Sequence, residues 1–136
     1  MPRIVLDTNV LIAAARAPAS ASRKIVEACL EGRVEAIVSE AVRKEYELII
    51  KQALSGVPYV EELRKFIDAC VPVEPTVVPR VVPDDPEDDK VVALAVAGEA
   101  DVLVTSDEHL ASLVAVEGIP ILSPSEALAR FPEISG

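Results

Sequence analysis

The chain reads as an α/β protein, a parallel sheet with helices over both faces. Short runs of Ile, Val and Leu alternate with longer segments of helical periodicity throughout its 136 residues. The run Ile-Val-Leu at 4 to 6 and the run DVLVT at 101 to 105 are almost wholly apolar rather than alternating in polarity, as strands buried on both faces should be. A strand, helix, strand succession with short connections favours parallel pairing and right-handed crossovers.

Each element follows from its residues. Residues 4 to 6 form the first strand, Asp7 ends it, and residues 9 to 15, rich in Leu and Ala, start a helix. Residues 20 to 30 (SASRKIVEACL) place Ile25, Val26, Cys29 and Leu30 at helical spacing, with Gly32 as the stop. EAIV at 35 to 38 is a strand. In the helix from 39 to 54, Val42, Tyr46, Ile49, Ile50 and Ala53 make one stripe, Ser39 is the N-cap and Gly56 follows the end. Residues 59 to 71 give another helix, with Val60, Leu63, Phe66, Ile67 and Cys70 on one side. Residues 72 to 86 carry five prolines among valines and read as an extended connection. A helix then opens at Pro86, is apolar all round from 91 to 97, and is closed by Gly98. The strand at 101 to 105, a short helix at 108 to 114, a strand at 119 to 122 and a helix at 125 to 130 complete a single domain spanning 1–136.

Hydrophobic residues make up 51% of the chain, enough for a folded core, but aromatics only 3% with no Trp, so Val, Ala, Leu and Ile must build it. No apolar run approaches a membrane span, and Met-Pro-Arg leads into a strand without the features of a signal peptide. A cytoplasmic location with no membrane partner is expected. Cys29 and Cys70 lie among apolar residues and read as reduced packing residues. One Asn, one Gln and Pro-rich loops give a thermophile-like composition. Of the net charge of −10, residues 1 to 65 (ten basic, nine acidic) contribute about +1 and residues 66 to 136 (three basic, fourteen acidic) about −11. Nucleic-acid binding by so acidic a chain requires cations, or a basic patch from its first half.

The acidic residues supply a reason for cations. Asp7 and Asp107 each end a strand, which in a parallel sheet puts both on the rim where ligands collect. Either alone could be a helix cap. Glu45 borders the apolar stripe of its helix, between Val42 and Ile49, where it is either a snorkelling or paired side chain or a ligand. In DDPEDD, Asp85 reads as an N-cap, with Glu87 suited to the first turn. Asp89 has Val92, Ala93 and Val96 as helical neighbours and should turn inward. Four carboxylates on one rim repel one another unless divalent ions hold them. An all-oxygen set with no His or Cys suits Mg²⁺ or Mn²⁺, and phosphoryl chemistry is the usual work of such a site.

The motifs LDTNVLI at 6 to 12, SEAVRKEYELI at 39 to 49, DPEDDKVVALAVAGEADVLVTSD at 85 to 107 and GIPILSPSEAL at 118 to 128 resemble the PIN domain family, including its VapC-type toxin ribonucleases. The resemblance implies a three-layer α/β/α sandwich with a central parallel sheet of about five strands. It implies that Asp7, Glu45, Asp89 and Asp107 bind Mg²⁺ or Mn²⁺. Thr8, Asn9, Ser39 and Ser106 would support them, and Asp85 or Asp88 could assist through water. It implies an endoribonuclease leaving 5′-phosphate and 3′-hydroxyl ends, a homodimer or higher oligomer, and a cognate antitoxin.

Candidate substrate contacts are Arg16, Arg43, Lys44 and Lys90, with Arg23, Lys24 and Lys51 behind them; paired basic residues on a helix also serve as plain solvated surface. His109 reads as a surface residue. A haloacid-dehalogenase-like phosphatase would need a second Asp two residues after the first, where Asn9 stands and cannot donate a proton. A non-catalytic RNA- or protein-binding module of the same fold is the main alternative, and a DNA-directed nuclease a further one.

Overall fold

The computed structural model describes residues 1–75 and 86–135, and only the backbone of residues 86–89. The chain runs β1 (Arg3–Leu6), α1 (Thr8–Arg16), α2 (Ala21–Leu30), β2 (Glu35–Val38), α3 (Glu40–Ala53), α4 (Val60–Ala69) and β3 (Val71–Pro72). It continues through α5 (Pro86–Ala97), β4 (Val102–Val104), α6 (Glu108–Ala111), β5 (Ala115–Val116), β6 (Ile119–Leu122), α7 (Pro124–Arg130) and α8 (Pro132–Ser135).

Six strands form one sheet in the order β3-β2-β1-β4-β6-β5. The register sets Ile4 beside Ala36 on one side and beside Val102 on the other. Successive residues of β1 and β4 point to opposite faces, yet Ile4, Val5, Leu6, Val102, Leu103 and Val104 are all fully buried. Both faces of the sheet are therefore covered, giving the expected three layers. From β1 the chain builds outward to β2 and β3, then crosses back to place β4 on the other flank of β1. The strand order thus reverses between β1 and β4, the place where an α/β sheet presents a crevice.

Two edges depart from the sequence reading. The helix expected to reach residue 71 ends at Ala69, and Val71–Pro72 pairs with β2 as an edge strand, its register continued by Val73 N–H to the Val38 carbonyl. At the other edge β5 pairs antiparallel with β6, so the sheet is mixed and has six strands rather than about five. The short helix expected over 108 to 114 stops at Ala111, because Val114 turns into the left-handed region (φ 64°) to start that hairpin.

The end of α5 also differs in cause. Gly98 has no positive φ; Glu99 takes the left-handed position (φ 50°), and Ala100 N–H closes the turn onto the Ala95 carbonyl. The glycine is needed for close approach, since a Cβ there would lie 2.2 Å from Ile37 Cδ1 and 3.2 Å from the Leu94 carbonyl oxygen. Ile37 is fully buried in β2 and has little room to yield. Gly98→Ala is expected to cost about 1–3 kcal/mol through overpacking, read as a lower urea midpoint at unchanged slope.

Cys29 and Cys70 are free thiols, half-buried and buried respectively, and burial raises both above the ordinary thiol value, Cys70 to about 12. They are packing residues, as expected. Among the described residues no helix is long and apolar enough to cross a membrane.

Candidate metal centre

The site starts from the ends of β1 and β4. Leu6 is the last residue of β1, and Asp7 N–H still donates to the Val104 carbonyl (3.0 Å), so Asp7 sits on the ladder as the chain turns into α1. There it is the N-cap: its Oδ1 accepts Thr8 N–H at 2.8 Å. Asp107 repeats the arrangement two residues after β4 has led into Thr105, capping α6 with Oδ1 accepting His109 N–H at 2.8 Å. Capping is therefore done twice, once by each acid. This does not remove them from ligand duty, since each carboxylate oxygen has a second lone pair.

Asp7 is only 6% exposed. Burial pushes its carboxyl above the usual aspartate value, hydrogen bonds from Thr105, Thr8 and Asn9 pull it back in part, and the nearby charge of Asp107 pushes it up again. The two acids thus face each other across the switch point, with negative charge only partly compensated by protein donors. Among the described residues Asp107 Oδ2 accepts no hydrogen bond.

Between them stands Thr105, 1% exposed. Its hydroxyl donates to Asp7 Oδ2 (2.8 Å) and accepts Asp107 N–H (3.0 Å) and the Asn9 amide (3.5 Å). Asn9 also donates to Asp7 Oδ2 (3.2 Å) and accepts Ser106 N–H on Oδ1 (3.1 Å). Asn9 is thus a bracket joining the two strand ends, and Ser106 takes part through its backbone. The sequence reading missed Thr105. The available signal was a strand-ending Thr directly before Ser106-Asp107.

Glu45 stands on α3, half-buried. Its neighbour Tyr46 is fully buried, and its hydroxyl donates to the Leu6 carbonyl, which ties α3 to the end of β1 one residue before Asp7. Both Asp7 and Glu45 add to the rise in the Tyr46 phenol that burial causes, so both carboxylates lie within electrostatic reach of it. Tyr46, read from sequence as part of an apolar stripe, therefore also sets where α3 stands. Ser39 caps α3 by accepting Val42 N–H at 3.2 Å.

Glu45 lines a cleft of about 570 Å³ with Glu40, Glu74, Lys44 and Lys90 and the apolar Ala41, Leu48 and Ile49, three acids against two lysines. Lys44 is exposed and lies 3.9 Å from Glu40. Arg43 is half-buried on the same helix. Arg16 is used elsewhere: at the far end of α1 it donates to the Ala53 carbonyl (2.8 Å) and closes α3. Arg23 likewise caps α1 through the Ala14 and Ala15 carbonyls while covering the Tyr59 ring. His109 is exposed, as expected.

Asp89 lies in the first turn of α5, which packs on β1 and β4, but its side chain is outside the described residues, as are that of Asp88 and the whole of Asp85. Among the described residues no three His, Cys, Asp or Glu side chains gather closely enough to hold an ion. What the structure brings together is Asp7, Thr8, Asn9, Thr105, Ser106 and Asp107, while Glu45, Lys44 and Lys90 line a cleft of their own on α3 and α5, tied to the end of β1 through Tyr46.

A family model described as PIN domain matches residues 3–109. No curated protein matches the chain. Among solved structures, VapBC2 from Rickettsia felis, bound to a DNA fragment from their promoter, is similar with a TM-score of 0.62 at 13% identity, over 89% of this chain and 98% of that one. PAE2754 from Pyrobaculum aerophilum is similar with a TM-score of 0.60 at 18% identity, over 96% of this chain and 88% of that one. At these identities the two structures bear on the fold.

Proposed function

Because the chain belongs to the PIN domain family, whose members are nucleases that generally use a divalent metal, we propose that it is a Mg²⁺- or Mn²⁺-dependent endoribonuclease. In this reading it leaves 5′-phosphate and 3′-hydroxyl ends and acts as the toxin of a toxin–antitoxin pair. The observation that carries the reading is the pair of strand-end carboxylates, Asp7 and Asp107, set across the switch point and joined through Thr105.

The donor set fits the ion. All candidate donors are carboxylate oxygens, the preference of a hard cation. Asp7 is buried with its carboxyl pushed upward, a site where a cation would offset the charge that the protein's own donors leave uncompensated. Asp7, Asp107, Glu45 and Asp89 would hold it. When bound, the ion supplies positive charge against phosphate oxygens and lowers the pKa of water. The chain's own part is orientation: Thr8 and His109 N–H fix one oxygen of each strand-end acid, and Lys44 and Lys90, which share their cleft with Glu40, Glu45 and Glu74, would contact phosphates of the RNA once the ion offsets that acidic charge. The likeness to VapBC2 supports a cognate antitoxin as partner. A homodimer or higher oligomer and a cytoplasmic location belong to the same proposal.

The test is a panel of single-stranded RNA, structured RNA and single-stranded DNA incubated with the folded protein in Mg²⁺, Mn²⁺ or EDTA. Metal-dependent cutting of RNA supports the reading, and cutting of DNA alone would redirect it. No cutting with either ion, together with no ion bound in calorimetry, would sink it in favour of a binding module.

A further inference from the structure

We infer that Thr105 is a positioning residue whose single hydroxyl sets the spacing of the two strand-end carboxylates, and so the affinity of the centre for its ion. The inference rests on the metal-dependent reading above and adds to it a residue outside the carboxylate set.

A threonine hydroxyl has one proton and two lone pairs. At Thr105 two of the three polar neighbours are N–H groups, Asp107 N at 3.0 Å and Asn9 Nδ2 at 3.5 Å, and these can only donate. The proton must then go to the third neighbour, Asp7 Oδ2, at 2.8 Å. The hydroxyl is thus held in one orientation. Through its acceptor side it fixes the backbone of Asp107, and through its donor side it fixes the carboxylate of Asp7. At 1% exposure no solvent competes for those bonds.

The geometry around it leaves few substitutes. Asp7 Oδ1 is already directed by Thr8 N–H, so Thr105 and Asn9 alone decide the tilt of the other oxygen. Asp107 has its carboxylate directed by His109 N–H, and its backbone N–H is held by the same Thr105 hydroxyl that bonds Asp7, the one group that touches both acids. Removing the hydroxyl would leave Asn9 as the remaining bridge, and Asn9 holds Asp7 Oδ2 (3.2 Å) and Ser106 N–H (3.1 Å) without touching Asp107 itself, so the spacing of the two acids would loosen. Outer groups that orient ligands typically change metal affinity by about 10–100-fold when lost.

The experiment is calorimetric titration of the intact chain with MnCl₂, comparing wild type with Thr105→Val and Thr105→Ser, alongside RNA cleavage at graded Mn²⁺. Thr105→Val keeps the shape and removes the hydroxyl; it is expected to bind Mn²⁺ about 10–100-fold more weakly, with cleavage largely restored at saturating Mn²⁺. Thr105→Ser, which keeps the hydroxyl, is expected to stay within about threefold of wild type, on a scale where tenfold is one lost ligand-orienting contact. If Thr105→Val fails to fold, Thr105→Ala takes its place in the comparison. Wild-type affinity in the folded Val or Ala variant would overturn the inference while leaving the metal reading intact. Equal losses in Ser and Val would overturn it in favour of methyl packing. A wild type that binds no Mn²⁺ would overturn both.

Discussion

Asp7→Asn is expected to abolish RNA cleavage while making the metal-free protein more stable. The loss of activity should be on the order of 10²–10³-fold, the scale on which removal of one group serving transition-state charge acts. The gain in stability follows from burial. Asp7 is held above its ordinary value of 3.8 chiefly because its charged form is desolvated, and the hydrogen bonds from Thr105, Thr8 and Asn9 do not fully offset that. Between the ordinary value and the raised one, the folded state keeps a proton that the unfolded chain has lost. Stability therefore falls as pH rises through that window, and at neutral pH the ionised carboxylate is a standing cost. Asparagine carries no charge and its Oδ1 still caps Thr8 N–H, while its Nδ2 meets two donors, the Thr105 hydroxyl and the Asn9 amide, which offsets part of the gain without reversing it. Thermal melts in EDTA at pH 7 should place the variant above wild type, and the advantage should shrink as pH is lowered toward the ordinary aspartate value. A wild type that melts higher than the variant in EDTA at neutral pH would remove the basis for reading Asp7 as a strained, ion-seeking acid.

The strand-end acids were legible in the sequence because an Asp at or just past the end of a buried apolar run stands on the sheet rim. The residues that organise them were not. Thr105 is β-branched, so it completes the pattern of a strand and hides its polar role behind a good propensity. Tyr46 fell within an apolar helical stripe because its ring is apolar; only the phenol tip reaches the Leu6 carbonyl, and periodicity does not register a tip. The edge strands β3 and β5 have two residues each, too few to carry any period, and the helical spacing before β3 ran on through Cys70 and Val71. Gly98 was rightly placed at a helix end, but its close packing on Ile37 is a tertiary fact with no local signature. Helix phase points Asp89 inward, and that expectation falls on a side chain outside the described residues.

Mn²⁺ is expected to reverse the sign of the pH dependence. An ion that binds the folded state alone stabilises it by about 2.7 kcal/mol at one hundred times its dissociation constant. For a chain of this length that is roughly a 10 °C rise in melting temperature. Carboxylate ligands must be ionised to bind, so the stabilisation grows as pH rises through the titration of Asp7, where the metal-free protein is losing stability. The competing explanation is diffuse attraction of the cation to the acidic second half, which carries about −11 of charge. The two differ in what one substitution does. Asp107→Asn removes one of 23 acidic residues and would leave a diffuse effect almost unchanged. At a built centre it removes half of the strand-end pair, and the Mn²⁺ shift should largely vanish, as it should in Asp7→Asn. A shift that survives both substitutions, or that disappears in about 0.5 M salt with wild type, would assign the ion to the acidic surface and leave the rim without a metal.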